Sequence, residues 1–267
     1  MIVERALNEQ YLANSFVVGD EPGGSAVIID AGGPAAPLVE AIGKASLTVT
    51  HLLCTHHHAD HVACNDFFQS EYGCPIFVPA AEADLFQGPY DETIVGGDVI
   101  TSGGLTIKAL HTPGHTKGML AFVVATGEAG AALREGRGFD EVGGDSGVFS
   151  GDTLFKGTVG GTLAPGHTTF ADLRASIMDT LMGLPHELAV YPGHTDFTTI
   201  GAEWEGNPFI RIWRGLDEPD IARCMAMGRP ADLVLRAMDY DGGTKCWVRF
   251  DDGGDEIAPG SRVVDAT

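Results

Sequence analysis

Four histidines and one aspartate lie within seven residues of this chain, in the segment Thr-His-His-His-Ala-Asp-His at positions 55–61. The segment follows an apolar run, so it is predicted to connect a strand to a helix. In an extended loop the side chains of His56 and His58 point the same way, whereas Asp60 and His61 begin the helix and face different directions. Imidazole and carboxylate are preferred zinc ligands, and this arrangement suits two metal ions better than one.

The main competing interpretation is a zinc-protease helix, because His57 and His61 are spaced i, i+4. That motif needs a glutamate directly after the first histidine as general base, and His58 stands there instead. A surface histidine cluster without a function would not explain the aspartate embedded at this spacing. The segment is therefore predicted to bind metal.

Further ligands are predicted from a tetrapeptide, Pro-Gly-His-Thr, that occurs three times, at His115, His167 and His194. A glycine before the histidine lets the backbone turn sharply. His115 and His194 each come after a predicted strand, and strand ends are where α/β active sites collect. His167 follows no strand and precedes a predicted helix, so it is expected to cap that helix or line the site rather than bind metal.

Asp152 lies in the segment Ser-Gly-Asp-Thr-Leu-Phe at 150–155, directly after another predicted strand. Alone it would be interpreted as a turn or cap residue. Beside the histidines it is better interpreted as a carboxylate that bridges two cations. The predicted ligands are His56, His58 and His115 for one ion, Asp60, His61 and His194 for the other, and Asp152 for both. Two divalent ions are expected, with zinc first, and these ligands also suit iron or manganese.

The rest of the chain predicts a layered α/β fold, because short apolar strands alternate with helices. Strands are predicted at 25–29, 47–54, 76–78, 106–110, 119–125, 148–150 and 188–191, and helices at 34–44, 61–72 and 170–181. The glycine-rich segment 126–146 is predicted to be a mobile loop or hairpin. Residues 1–216 are expected to form the main domain. Residues 217–267 are expected to form a small α+β appendage, with a helix at 229–237 and paired strands at 246–250 and 256–264.

Charge and hydropathy exclude several classes of partner. The 16 basic and 37 acidic residues give a net charge of −21, which disfavours binding to nucleic acid. The longest apolar run, Met119 to Ala125, is far shorter than the ~20 residues of a membrane span, so no membrane partner is expected. The first residues lack the features of a signal peptide, which predicts a cytoplasmic protein. The five cysteines are then expected to be thiols, most of them small core residues.

Roughly residues 1 to 215 resemble the metallo-β-lactamase superfamily. The residues that carry the resemblance are, in chain order, His56, His58, Asp60, His61, His115, Asp152 and His194. The resemblance implies an αββα sandwich with the metals at one edge of its two sheets. Within the superfamily the chain looks most like the glyoxalase II-like thioester hydrolases. The segments that support this are Gly-Asp-Thr-Leu-Phe at 151–155, Thr-Ile-Gly at 199–201 and Asn-Pro-Phe at 207–209.

Two differences from the glyoxalase II pattern bear on the identity of the thiol carrier. The glyoxalase II pattern has a basic residue shortly after Gly-Asp-Thr-Leu-Phe, which helps hold glutathione, and Gly161 stands near that position here. Lys156 is a candidate replacement and, with His167, a candidate substrate contact. The C-terminal segment does not resemble the helical glutathione-binding domain of that enzyme. The carrier is therefore expected to be another thiol, or to be held by different residues of the C-terminal segment.

The resemblance implies hydrolysis of an acyl thioester. Two cations ~3.5–4 Å apart can lower the pKa of a shared water toward ~7 and stabilise the oxyanion, while Asp60 holds the second ion and orients the hydroxide. A thiolate leaving group needs little protonation.

Alternatives are a lactonase or β-lactamase of the same fold, or a persulfide dioxygenase with one iron and fewer ligands. Known β-lactamases act outside the cytosol, and one zinc class has a cysteine ligand at the position of Asp152. A redox or binding module is disfavoured because no flavin-binding segment follows.

Overall fold

Two six-stranded β-sheets pack face to face, and helices cover the outer face of each. This is the αββα sandwich expected from the sequence. The computed structural model describes residues 1–139 and 144–266. Within those two ranges, no helix combines the length and apolar character needed to cross a lipid bilayer.

The first sheet contains the N-terminal half of the predicted strands and two strands that precede them. Its strands in spatial order are β1 (Ile2–Leu7), β2 (Asn14–Gly19), β3 (Ser25–Ile29), β4 (Thr48–Leu53), β5 (Ile76–Pro79) and β6 (Glu92–Ile94). The first three are antiparallel, and β3 to β6 run parallel. The carboxyl ends of β3, β4 and β5 therefore lie at the same edge.

The second sheet has the spatial order β14, β13, β10, β9, β8, β7. Its strands are β7 (Val99–Ser102), β8 (Leu105–His111), β9 (Leu120–Ala125), β10 (Ser146–Gly151), β13 (Ala189–Pro192) and β14 (Thr198–Thr199). Only β10 and β13 are parallel, so both end at the same edge. A two-stranded hairpin, β11 (Leu154–Phe155) and β12 (Thr158–Val159), follows β10.

The helices lie outside the two sheets. They are α1 (Ala35–Ala45), α2 (Ala59–Val62), α3 (Asn65–Tyr72), α4 (Gly127–Arg134), α5 (Phe170–Ala175), α6 (Ile200–Gly206) and α7 (Pro208–Trp213). A π-helical turn, Ser176–Leu181, continues α5. Helices α1 and α3 pack on the first sheet through Leu38, Ile42 and Phe68. Helices α4 to α7 pack on the second.

The central strands are buried on both faces, and their alternating side chains belong to different apolar layers. On β9, Phe122 and Val124 pack between the sheets, whereas Ala121 and Val123 pack toward the helices. The interior layer contains large residues from both sheets, such as Phe16, which meets the ring of Phe149 edge-on at 5.1 Å between centroids. This rigid interior holds the edge from which the candidate ligands project.

The C-terminal segment is a five-stranded antiparallel sheet, and the helix predicted at 229–237 is wrong. Its strands in spatial order are β18 (Asp255–Pro259), β17 (Thr244–Phe250), β16 (Arg229–Met238), β15 (Ala222–Ala226) and β19 (Val263–Asp265). The residues predicted to be helical form β16, the central strand, which pairs with β15 and β17. Pairing on both sides satisfies the backbone of β16 and overrides the helical pattern of this segment. A 3-10 turn, Gly260–Arg262, joins β18 to β19.

The C-terminal sheet packs on the helices of the second sheet. Trp247 of β17 stacks on Phe170 of α5, with 5.0 Å between the ring centroids. Val234 and Ile257 are buried in the same apolar cluster.

Two further expectations need correction. The segment 126–146 was expected to be a loop or hairpin, but Gly127–Arg134 form α4, with Ala132 and Leu133 buried against the second sheet. Residues 140–143 of that segment lie outside the described part of the chain. The helix predicted at 61–72 is two helices, α2 and α3. The cysteines are free thiols as expected, and all but Cys64 are buried.

Candidate metal centre

The seven predicted ligands converge at one edge of the sandwich because four strands end there. His56 and His58 lie in the loop after β4, and Asp60 and His61 lie on the single turn of α2. The other three follow β8, β10 and β13; they are His115, Asp152 and His194. The edge is where the parallel strands end, as the topology of α/β sheets predicts.

The first group consists of His56, His58 and His115. The Nε2 of His56 and the Nε2 of His115 lie 3.0 Å and 3.1 Å from the Nδ1 of His58. The outer nitrogens of two of these rings donate to backbone carbonyls: His58 Nε2 to Pro165 at 2.9 Å and His115 Nδ1 to Gly161 at 2.9 Å. In the neutral form of each ring, the other nitrogen has no hydrogen and carries a lone pair. These nitrogens are the Nδ1 of His58 and the Nε2 of His115.

The inner nitrogen of His56 also carries a lone pair, because its outer nitrogen contacts Thr55. The Thr55 hydroxyl donates to Asp30 at 2.8 Å, so it accepts from the Nδ1 of His56 at 2.9 Å. Three nitrogen lone pairs thus face one another at hydrogen-bond distance with no hydrogen between them. A cation at their centre removes this repulsion.

The second group consists of Asp60, His61 and His194. The Nδ1 of His61 donates to Asp30 at 2.9 Å, and the Nδ1 of His194 donates to the carbonyl of Tyr11 at 3.1 Å. Their Nε2 atoms lie 3.8 Å and 3.7 Å from one carboxylate oxygen of Asp60. The group therefore presents two imidazole lone pairs and one carboxylate.

Asp152 lies between the two groups. Its Oδ2 is 3.1 Å from the Nε2 of His194 and 3.5 Å from the Nε2 of His115, and its Oδ1 is 3.4 Å from the Nε2 of His61. One carboxylate thus reaches both groups, as its predicted bridging position requires.

Two buried atoms of this centre have no hydrogen-bond partner within the described ranges, the Nε2 of His61 and the Oδ1 of Asp152. Buried polar atoms in folded proteins are almost always paired, and an unpaired one costs about 1–3 kcal/mol. Both are donors of electron pairs to metals. The donor set and these unpaired atoms therefore fit bound divalent cations.

Electrostatics favour positive charge at the second group. Burial lowers the pKa of His56 well below its ordinary value and lowers that of His115 to about 4, which keeps both rings neutral. Burial would also lower the pKa of His61, but Asp152, Asp30 and Asp60 outweigh it and raise that pKa to about 9. A field that favours a proton on His61 favours a metal cation in the same place.

Two buried carboxylates that support the centre were not identified from the sequence. Asp30 follows β3 and accepts from the backbone N–H of Thr55 at 2.7 Å, besides orienting His61. Such carboxylate partners fix the tautomer of a metal-binding histidine. Its position directly after the strand predicted at 25–29 was the available indication.

Glu82, the second of these carboxylates, lies in the 3-10 turn Ala80–Leu85 and is fully buried. It accepts from the ring and backbone of His57, from the Thr116 hydroxyl at 2.7 Å and from the Gly118 N–H at 2.9 Å. Burial would raise its pKa, but the bonds from His57 and Thr116 lower it below the ordinary value. Glu82 therefore ties the loop of His58 to the loop of His115, and nothing in its sequence context indicates this.

The glycines of the Pro-Gly-His-Thr repeats matter for different reasons. Gly114 has φ +144° and lies against the backbone of Leu173, where a Cβ would be 2.5 Å from its Cα. A Cβ on Gly193 would lie 2.1 Å from the Oδ1 of Asp152. Gly193 therefore allows the close approach of Asp152 and His194, rather than an unusual backbone angle.

The C-terminal sheet reaches the same centre, which the sequence did not indicate. Tyr240, between β16 and β17, stacks on the imidazole of His194 with 4.4 Å between ring centroids and an interplanar angle of 17°. It meets the ring of Phe155 at 4.9 Å. Burial and the charges of Asp152 and nearby carboxylates raise the pKa of Tyr240, so it is a neutral phenol.

Lys245 of β17 lies beside Tyr240 and is 7% exposed. Its Nζ is 3.1 Å from the carboxylate of Asp239 and 5.4 Å from the ring centroid of Tyr240. Its positive charge contributes to the lowered pKa of His115.

The two candidate substrate contacts lie outside both groups. His167 is exposed, and its Nδ1 donates to the carbonyl of Thr168 at 2.9 Å. It does not cap α5, because Thr169 does so through a capping box with Asp172. Lys156 is exposed and pairs with Asp196 at 3.4 Å.

Two cavities flank the centre. A cavity of about 450 Å³ borders His58 and is lined mainly by apolar groups from α2 and the segment 85–89, among them Val62, Leu85, Phe86 and Pro89. A second cavity of about 260 Å³ borders His115 and is lined by residues of the C-terminal sheet and of the segment 161–164. The centre therefore borders a cavity on each of two sides.

Comparisons with known proteins identify the family. A family model described as "Metallo-beta-lactamase superfamily" matches residues 9–130. An uncharacterised protein of Mycobacterium tuberculosis is 33% identical over 74% of this chain and 92% of its own length. A hydroxyacylglutathione hydrolase of Rhizobium etli is 34% identical over 67% of this chain and 73% of its own length.

Similar solved structures include a B3 metallo-beta-lactamase, BLEG-1, with a TM-score of 0.65 and 26% identity over 78% of this chain and 99% of that one. ETHE1 from Myxococcus xanthus has a TM-score of 0.61 and is 25% identical, and the match covers 82% of this chain and 93% of that one. A protein solved in a di-iron-bound form, TTHA1623, has a TM-score of 0.60 and is 28% identical, and the match covers 78% of this chain and 100% of that one. Together with the fold and the convergent histidines and aspartates, these likenesses establish that the chain belongs to the metallo-beta-lactamase superfamily.

Proposed function

We propose that this protein is a metal-dependent hydrolase that cleaves an acyl thioester with two divalent ions at the candidate centre. The single observation that carries the proposal is the convergence of seven ligand side chains, in which the buried atoms His61 Nε2 and Asp152 Oδ1 lie 3.4 Å apart without a hydrogen-bond partner among the described residues. A set of ligands that divides into two groups with a carboxylate between them supports two ions rather than one.

In this proposal His56, His58 and His115 hold one ion and Asp60, His61 and His194 hold the other, with Asp152 shared. Bound there, the ions would supply a water of lowered pKa and would polarise the substrate carbonyl. Zinc suits these ligands best, and iron or manganese is compatible with them.

The protein's own groups orient the reactants. The Asp60 side chain is 24% exposed, so its carboxylate can accept a hydrogen bond from the attacking water and direct a lone pair toward the carbonyl. Asp30 and Glu82 hold the ligand loops in place, which limits reorganisation during the reaction. Thiols have a pKa near ~8.5, so a thiolate can leave with little protonation.

The cavity beside His58 is mainly apolar and the cavity beside His115 lies on the other side of the centre, so the acyl group and the carrier can each occupy one of the two. His167 and Lys156 remain candidate substrate contacts at the rim. Pro165, two residues before His167, touches His58, and Phe155, next to Lys156, touches His194. The hydroxyacylglutathione hydrolase of Rhizobium etli supports thioester chemistry for this chain.

The first test is metal content. We expect the purified protein to bind close to two transition-metal ions per chain, measured by plasma mass spectrometry after reconstitution with zinc, iron or manganese. Saturation at one ion, with His194 unliganded, would contradict the two-ion centre and favour the persulfide dioxygenase alternative.

The second test is a substrate panel on the loaded protein with thioesters, lactones, a cephalosporin and a persulfide. Hydrolysis of thioesters with the highest kcat/KM supports the proposal, with Asp152→Asn as the inactive control. A lactone that reacts while no thioester does would replace the thioesterase by a lactonase.

A further inference from the structure

The cavity beside His115 differs from the rest of the molecule in its charge. Its volume is about 260 Å³, and its lining includes Gly161, Leu163, Lys245, Ile257 and Arg262. The chain as a whole has a net charge of −21, yet the two charged side chains of this lining are both basic. A cationic cavity in an acidic protein attracts anions locally.

Arg262 is exposed, and its side chain lines this cavity. It lies in the 3-10 turn Gly260–Arg262 and has no ion-pair partner among residues 1–139 and 144–266, although most arginines there are paired with a carboxylate. A planar guanidinium with five donors matches the two oxygens of a carboxylate or phosphate. Its position at the cavity makes it available to such a group.

Lys245 is nearly buried and is held in place from two sides. Asp239 forms an ion pair with its ammonium, with 3.1 Å between Nζ and the carboxylate oxygen, and the rings of Phe155 and Tyr240 face the ammonium at 5.6 Å and 5.4 Å. An ammonium has three N–H donors, so Asp239 leaves donors for a group in the cavity. Desolvating an ammonium is costly, and an anion in the cavity would offset that cost on the side that Asp239 does not cover.

The segment 161–164 leaves room for these side chains. Gly161 has no side chain, and its carbonyl accepts the Nδ1 of His115. The basic group that the glyoxalase II pattern places near this position is absent from the loop. Two basic groups of the C-terminal sheet, on a part of the fold that the sequence resemblance did not cover, reach the cavity instead.

We propose that Lys245 and Arg262 form an anion subsite beside His115 that binds a carboxylate or phosphate of the substrate. This inference rests on the proposed function. The anion belongs either to the leaving thiol or to the acyl group, and the cavity's chemistry is the same for both. A substrate with such a group should be preferred because it completes the hydrogen bonds of both cations.

Two matched substrate pairs distinguish the sources. N-acetylcysteine and N-acetylcysteamine thioesters of one acyl group differ only by a carboxylate on the leaving thiol. Succinyl and butyryl thioesters of N-acetylcysteamine differ in a carboxylate on the acyl group. We expect the wild-type holoenzyme to prefer the anionic member of one pair by about ten- to a hundredfold in kcat/KM.

The variant Arg262→Gln should abolish most of that preference by raising KM about tenfold for the anionic substrate only, with kcat nearly unchanged. Arg174→Gln is the matched control, since Arg174 is also exposed and lies on α5. Lys245→Gln should act in the same direction. Because that change leaves Asp239 buried without its partner, Lys245→Gln combined with Asp239→Asn keeps the test valid if the single variant does not fold.

A measurement without turnover separates this inference from the proposed function. Calorimetric binding of S-methyl-N-acetylcysteine to the holoprotein should weaken about tenfold in Arg262→Gln if the anion is on the thiol, and binding of succinate should weaken if it is on the acyl group. If no thioester reacts but one of these probes binds through Arg262, the thioesterase proposal fails and the subsite stands. Equal kinetics for both members of both pairs, or equal binding to wild type and Arg262→Gln, would overturn the subsite.

Discussion

The edge of the sandwich and the C-terminal sheet meet at the same centre but contribute different chemistry. The sandwich presents its imidazoles and carboxylates on segments that follow strand ends, including Asp60, His115 and Asp152. The C-terminal sheet presents a phenol and two basic groups, Tyr240, Lys245 and Arg262, from a turn, a strand and a 3-10 turn.

We interpret this difference as a separation of metal binding from substrate selection. In our interpretation the sandwich edge holds metals, which needs lone pairs fixed to within tenths of an ångström by a rigid double sheet. The C-terminal sheet forms the outer wall, where charge and shape select the substrate. Changes in the first region should therefore affect metal content, and changes in the second should affect KM or stability with metal content intact.

The largest effect is expected for Asp152→Asn. The change keeps the shape of the side chain but removes the negative charge that both ligand groups share. We expect loss of metal and a fall in kcat/KM of at least about a thousandfold, since bound metals supply several kcal/mol of transition-state stabilisation. Metal analysis and steady-state kinetics measure this, and near-normal values of both would refute the bridging position. A far-ultraviolet circular dichroism spectrum like that of the wild type serves as the control for folding.

The three Pro-Gly-His-Thr histidines provide an internal comparison within the sandwich. His115→Ala and His194→Ala should each strip metal, whereas His167→Ala should leave both ions bound because His167 is exposed and outside both ligand groups. Parallel metal analysis of the three variants decides the matter. Equal losses in all three would contradict the division into ligands and a rim residue.

Asp60→Asn tests the second ligand group alone. It removes one charged ligand but keeps the three histidines of the first group. The second ion should bind more weakly, and turnover should fall by about two orders of magnitude or more, while the first ion remains. Titration of apoprotein with zinc measures both affinities, and an unchanged second affinity would show that Asp60 is not a ligand.

The smallest effect on the reaction is expected for Trp247→Ala, which loosens the contact between the C-terminal sheet and α5. Removing a large buried aromatic side chain costs about 3–5 kcal/mol in the free energy of unfolding. Urea denaturation should show this loss with metal content unchanged. Met238→Ala, in the same sheet and 66% exposed, is the control and should change stability by less than about 0.5 kcal/mol. Metal loss in Trp247→Ala would show that the two regions are not separable.

Much of the sandwich could be predicted because its segments carry local patterns. The apolar runs that form β4, β8, β9 and β13 are short and bounded by polar residues, and each is a strand in the structure. The predictions failed where pairing partners decide the conformation. Residues 229–237 have a helix-compatible pattern but form β16, because strands on both sides pair with it. In the glycine-rich segment after β9, α4 forms because its alanines and Leu133 can be buried against the second sheet.

The sequence by itself determined which residues are candidate metal ligands, because their spacing is local and their side chains have few other uses in that combination. It could not determine that Asp30 and Glu82 hold those ligands, since a single carboxylate has no pattern until folding buries it beside an imidazole. Nor could the sequence predict that Tyr240 lies beside His194, or that Lys245 and Arg262 lie near His115. Contacts between residues far apart in sequence depend on how the sheets pack, and only the tertiary structure decides that.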